Sequence, residues 1–208
     1  MSARRKNKIS FRRFMPRNFL RGERGATAVE FALVLPVMLL LLLGCFEVPR
    51  YVLVYQKLSR TSAGVADLIA QADDPVTGNQ IQDIFRAAKV MMEPYDLLAD
   101  GRVIISSINN TAGVVKVTWR EVYGNLSGVD TVKLGAAGEN AKNLPAGLSP
   151  DSSEEVLAAE AYFKYKPVFS NLIYSGSTLY SVSYTRPRNH NLTTVPSEAD
   201  APDPAPTP

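Results

Sequence analysis

Few side chains in this sequence could do chemistry, and the first is a glutamate at the head of an apolar run. Residues 24–46 read RGATAVEFALVLPVMLLLLLGCF, with Glu30 between Val29 and Phe31 and no further acid or base until Glu47. An ionisable group at membrane depth is costly, so its presence points to a function and its charge calls for a partner. A single cysteine, Cys45, and a single histidine, His190, leave no internal disulfide, zinc site or Cys/His catalytic pair to assemble. Asp96, Asp100, Asp130, Glu154 and Glu155 form no motif with a nucleophile or base. The stretch GAAGENAK at 135–142 lacks the lysine that a phosphate-binding loop needs directly after its last glycine. No catalytic, cofactor-binding or metal-binding residue is therefore assigned, and the chain is not expected to be an enzyme.

The elements that position Glu30 begin with charge. Residues 1–25 hold nine of the 23 Lys/Arg but only one of the 20 Asp/Glu, a charge of +8, while the remainder carries −5. A basic leader could bind nucleic acid, but the acidic remainder has the wrong sign for phosphate. Because an apolar run follows directly, the positive-inside rule keeps the leader, 1–25, cytoplasmic and sends the acidic remainder across the membrane. The run at 31–46 is short for a spanning helix, but Ala26, Ala28 and Val29 before it and Tyr51–Tyr55 after it make it adequate. Pro36 and Pro49 interrupt it as expected kinks, since neighbouring helices can re-satisfy freed backbone groups. Beyond them Tyr51, Val54, Leu58, Ser62, Val65 and Ile69 recur at steps of three and four, so an amphipathic helix continues to about residue 71. Residues 26–72 thus form one transmembrane and amphipathic helix.

A domain of residues 75–190 follows. Thr77 and Gln80 offer a capping box for a second helix with the stripe Ile81, Ile84, Phe85, Ala88, Met91, Met92 and Tyr95, ended by Pro94. RVIISSI and VVKVTWREVY, separated by NNTAG, predict a hairpin whose Val115, Val117 and Trp119 alternate with Lys116, Thr118 and Arg120. The Gly/Asn/Ala/Pro-rich residues 124–151 predict a long surface loop. Alternation predicts a strand from about 156, although Ser152 and Glu155 also suggest a helix cap, and TLYSVSYTR at 178–186 is a last strand. The tail, 191–208, is disordered by composition. The fold class is α+β: a long N-terminal membrane helix, a second helix and about four antiparallel strands.

A secretory signal would place small residues after the apolar run, whereas here Gly25-Ala26 lie before it. That arrangement resembles the processing site of type IV prepilins, where a prepilin peptidase cuts after glycine and the fifth mature residue is glutamate. The resemblance makes Gly25 the residue before the cut, Ala26 the new N-terminus and Glu30 the fifth residue. Phe31 stands where major pilins of the Tad (Flp) class usually have tyrosine. The segment GATAVEFALVLPVMLLLLLGCFEVPRYVLVYQKL, with its Leu-Pro and its later Glu47 and Arg50, resembles TadE-like pseudopilins of that system. RTSAGVADLIAQ and EEVLAAEAYFKYKPVF are similar to the same class more weakly.

The resemblance implies a TadE-like or TadF-like minor pilin, single-pass in the bacterial inner membrane. Its N-terminus would be cytoplasmic and its domain periplasmic, with incorporation into an extracellular pilus as a further implication. The implied partners are the prepilin peptidase, other Tad pilins and pseudopilins, inner-membrane platform proteins and membrane lipid. Glu30 and Phe31 become assembly residues: the carboxylate would pair with the Ala26 amine of a neighbouring subunit. A helix-capping role for Glu30, favoured by the helix dipole, is the plainer alternative. A lipobox reading of LLGC, with Cys45 as a lipidated residue, is a second rival for the whole chain, and a membrane-anchored enzyme or binding domain is a third.

Overall fold

The computed structural model describes residues 23–72, 76–127, 133–148, 150–152, 154–169 and 176–188. The expected leader up to residue 22, Asp130, His190 and the tail at 191–208 lie outside these. Helix α1 spans Glu23–Ala70, α2 Gly78–Met92 and the short α3 Leu97–Asp100. The strands are β1 Gly101–Thr111, β2 Val114–Tyr123, β3 Glu155–Tyr165 and β4 Ser177–Thr185. They form one antiparallel sheet in the order β2-β1-β3-β4. This is the expected α+β architecture, with the ambiguous 152–166 segment carrying strand β3. The described residues fall into two compact units, one ending at Phe46 and the other starting at Glu47.

In the first unit, α1 exposes Val29, Phe31 and the apolar residues that follow, a surface left uncovered by the described residues. At 1.5 Å per residue, the 21 residues from Ala26 to Phe46 cover about 31 Å, close to the hydrocarbon thickness of a bilayer. Among the described helices α1 is long and apolar enough to cross a membrane. It continues without a break through Pro36 and Pro49.

In the second unit, α1 turns one-sided as its spacing predicts. Val54, Leu58, Val65 and Ile69 are buried against Ile81, Phe85, Ala88 and Met92 of α2 and against Val103, Ile105, Trp119, Leu157 and Ala159 of the sheet. Thr77 and Gln80 form the capping box of α2, with Gln80 N–H donating to Thr77 Oγ1 at 3.3 Å and Thr77 N–H to Gln80 Oε1 at 3.0 Å. At the other end of α2, Lys57 Nζ donates to the carbonyl of Glu93 at 2.7 Å, a cation satisfying an orphan acceptor beyond the last turn.

Two expectations need correction. Val115, Val117 and Trp119 do not share one face. Ser107 pairs with Trp119 and Ile108 with Val117, so Thr118 is an extra residue and a β-bulge flips the side-chain parity. Trp119 enters the helix-covered core, while Val117 joins Ile108, Val156 and Ala158 on the opposite face.

Nor are residues 124–151 only a surface loop. Leu134 is fully buried, and Ala141, Leu144 and Leu148 pack on that second face. Val117 N–H donates to Glu139 O at 3.0 Å, Gly138 N–H to Val117 O at 2.7 Å and Ala141 N–H to Val115 O at 2.9 Å. The segment thereby closes the otherwise open edge of β2. Its polar composition hid the role, because a few apolar side chains supply the cover. Burial on both faces also explains why β3 reads as a nearly continuous apolar run.

Candidate functional site

Gly25 and Ala26 lie in the first turn of α1, and both are exposed. A Cβ built on Gly25 meets nothing within 4 Å, so the space around it is open among the described residues. Glycine lowers helix stability by about 1 kcal/mol relative to alanine, which makes this turn easy to unwind. Glu30 is exposed at the eighth residue of α1, past the first turn where a carboxylate feels the helix dipole. Among the described residues no basic side chain pairs with it. Phe31 is exposed beside it.

Glu47, the acid that closes the apolar run, is placed quite differently. It is 7% exposed; its Oε1 accepts the Tyr165 hydroxyl and its Oε2 accepts the Val168 N–H at 3.2 Å. Burial, then the adjacent Glu47 carboxylate, push the Tyr165 hydroxyl well above its usual range, so it remains a donor. The ring of Tyr51 meets Tyr165 edge-on at 5.3 Å. Further along, Ser62 and Ser181 share a hydrogen bond at 2.9 Å, and Asp67 pairs with Arg188, whose N–H donates to Ala70 O at 2.9 Å. The 47–70 part of α1 is therefore tied to the sheet from one end to the other by polar contacts. In the sequence Glu47 stands out only as the next charge after Glu30 and, with Arg50, as part of a resemblance; the signal is an acid set directly after an apolar run.

A second polar group sits on the loop-covered face. Glu160 is fully buried and accepts the hydroxyls of Tyr162 at 2.9 Å and Tyr180 at 3.0 Å through Oε1. Lys133 lies over the Tyr180 ring, 3.7 Å from its centroid. Burial raises the Glu160 carboxyl above its ordinary range despite these donors and the nearby Arg120 and Lys133. Burial first, then Glu160, also raise the hydroxyls of Tyr162 and Tyr180.

The other described acids considered for catalysis are engaged in contacts of their own. Asp96 caps α3, Asp100 pairs with Lys166 at 2.6 Å, Glu154 pairs with Arg186 at 3.1 Å and Glu155 accepts from Ser107. Cys45 is exposed in the middle of α1, and the helix continues 25 residues beyond it.

The arrangement is thus an exposed Gly-Ala pair, a carboxylate one helical turn past Ala26, an apolar span and an acid locked into the second unit. Residues 25–67 match the family model described as TadE-like protein. Searches of curated proteins and of solved structures return no match. The TadE-like segment takes in Gly25, Ala26, Glu30, Phe31, Pro36, Glu47, Pro49 and Arg50, and it stops before α2 and the sheet. Its apolar helix fits a membrane anchor.

Proposed function

We propose that this chain is a pseudopilin of a Tad (Flp) pilus, cut by a prepilin peptidase after Gly25 and assembled through its N-terminal helix. The observation that carries the reading is the TadE-like match over residues 25–67, which begins at the glycine of the expected cut. The leader stays in the cytoplasm, α1 crosses the inner membrane, and the second unit lies in the periplasm. Its work is binding and not catalysis: it primes, caps or joins the fibre with other pilins and platform proteins.

Cutting creates an α-amino group at Ala26 with an ordinary pKa near 8, mostly cationic at neutral pH. Ala26 and Glu30 are four residues apart, on one helix face and about 6 Å along the axis. A second copy displaced by that rise would bring its amine level with Glu30. Pairing offsets the cost of taking both ions out of water, whereas either ion alone would cost several kcal/mol. Complementation of a strain lacking the gene tests the reading. The wild-type chain should restore fibres, and Gly25→Leu, with a bulky side chain at the cut, should not. Full piliation by Gly25→Leu, or normal piliation without the gene, would count against it.

A further inference from the structure

The cleft beside Glu47 has chemistry that fibre assembly through α1 does not use. It holds about 200 Å³ and is lined by Arg50, Asp96, Asp100, Lys164, Tyr165 and Lys166, among others. Both carboxylates are already engaged. Asp96 Oδ1 accepts the N–H groups of Leu98 and Ala99 at 3.0 and 3.1 Å, and Asp100 holds Lys166 at 2.6 Å. Arg50 and Lys164 have no carboxylate partner among the described residues. Two cations are left over, in a chain whose remainder after the leader is acidic.

The level of this cleft along the chain is fixed by Glu47. That residue directly follows the apolar run, and Arg50 lies one helical turn further on. The bonds from Tyr165 and Val168 N–H to Glu47 hold the turn after β3 at the same level. The turn carries Val168, an apolar side chain left 51% exposed, and Val48 on α1 is 63% exposed. A cleft that carries cations without described carboxylate partners, with exposed apolar side chains beside it and set directly after the apolar run along the chain, matches an interface that is charged above and greasy below.

We propose that this rim rests in the headgroup layer of the leaflet that α1 leaves, with Arg50 and Lys164 taking the phosphates of anionic lipids and Val168 reaching the acyl boundary. The partner is the bilayer surface, and the proposal rests on the reading of α1 as a membrane anchor. It gives the second unit a fixed height on the membrane before it joins any fibre.

The test uses the full chain with Cys45→Ser, in vesicles of phosphatidylethanolamine and phosphatidylglycerol. A nitroxide is placed singly at Val168→Cys, at Thr111→Cys on the opposite end of the sheet, or at Met38→Cys within the apolar run. Collision with oxygen and with a water-soluble nickel chelate reports the depth of each. The expected result is a Met38 label deep in lipid, a Thr111 label in water, and a Val168 label several-fold less accessible to nickel than Thr111. Arg50→Gln with Lys164→Gln, or replacement of both lipids by phosphatidylcholine, should return Val168 towards the Thr111 value.

A deep Met38 with a fully watery Val168 overturns the proposal and leaves the anchor intact. A watery Met38 overturns both. Protection of Val168 that disappears on diluting protein into lipid assigns the rim to a second copy of the chain and also overturns it.

Discussion

At the residue scale the chain spends three glutamates in three ways. Glu30 is exposed and unmatched by any described base, Glu47 is locked by a tyrosine and a backbone N–H, and Glu160 is buried between two tyrosines. Each has its own expected variant. Glu30→Gln should be inserted and cut like the wild type but crosslink poorly to its pilin partners, because the mature amine then enters the bilayer without its countercharge. Wild-type crosslinking by a correctly cut variant would rule out the pairing role. Tyr165→Phe should destabilise the second unit by about 1–3 kcal/mol, since it leaves a buried carboxylate short of a donor. Trp119, the single tryptophan and fully in the core, reports unfolding by its fluorescence in denaturant.

Glu160 predicts a pH dependence. Its folded carboxyl titrates above the ordinary value of 4.5, so the folded state holds a proton that the unfolded chain has released. The stability linked to this group is fully present below 4.5 and is lost as pH rises from there through the raised value. Glu160→Gln should remove that part of the slope. An unchanged slope in the variant would assign the titration elsewhere.

At the element scale, local rules predict measurable losses. Thr77→Ala removes one half of the α2 capping box and should cost about 0.5–2 kcal/mol. Gly124 has φ +103, and a Cβ there would lie 2.4 Å from Gly101 O, so Gly124→Ala should cost more than about 1 kcal/mol. Denaturant midpoints compared with wild type check both. The helices were legible in the sequence because their apolar stripes keep a constant period, and Val54–Ile69 and Ile81–Met92 face the core accordingly.

β2 was legible as a strand, but its faces were not. A bulge at Thr118 leaves no mark in composition, and only the pairing partner Ser107–Ile108 reveals where parity changes. The 124–151 segment was misread for a related reason: Leu126, Leu134, Leu144 and Leu148 are too scattered to form a period, yet they cover a sheet face. The α3 turn was missed because four residues carry no periodic signal. Glu47 could be seen as an anomaly, but its donors come from residues more than a hundred positions away, which no local pattern encodes.

At the scale of the whole molecule, the chain joins a segment with a family likeness to a sheet without one. The N-terminal helix fits a membrane anchor and carries the residues proposed for assembly, and within the second unit Glu47 binds the Tyr165 hydroxyl and the Val168 N–H. In the proposed function residues 1–25 are a leader and the working N-terminus is Ala26. Its removal would take away +8 and leave a mature chain of −5. The most direct measurement is the intact mass and N-terminal sequence of the membrane-bound protein, expressed with an active prepilin peptidase. The expected chain begins at Ala26, and Gly25→Leu keeps its leader under the same conditions. A wild-type chain that retains Met1 beside a peptidase active on another prepilin in the same cells would contradict the account.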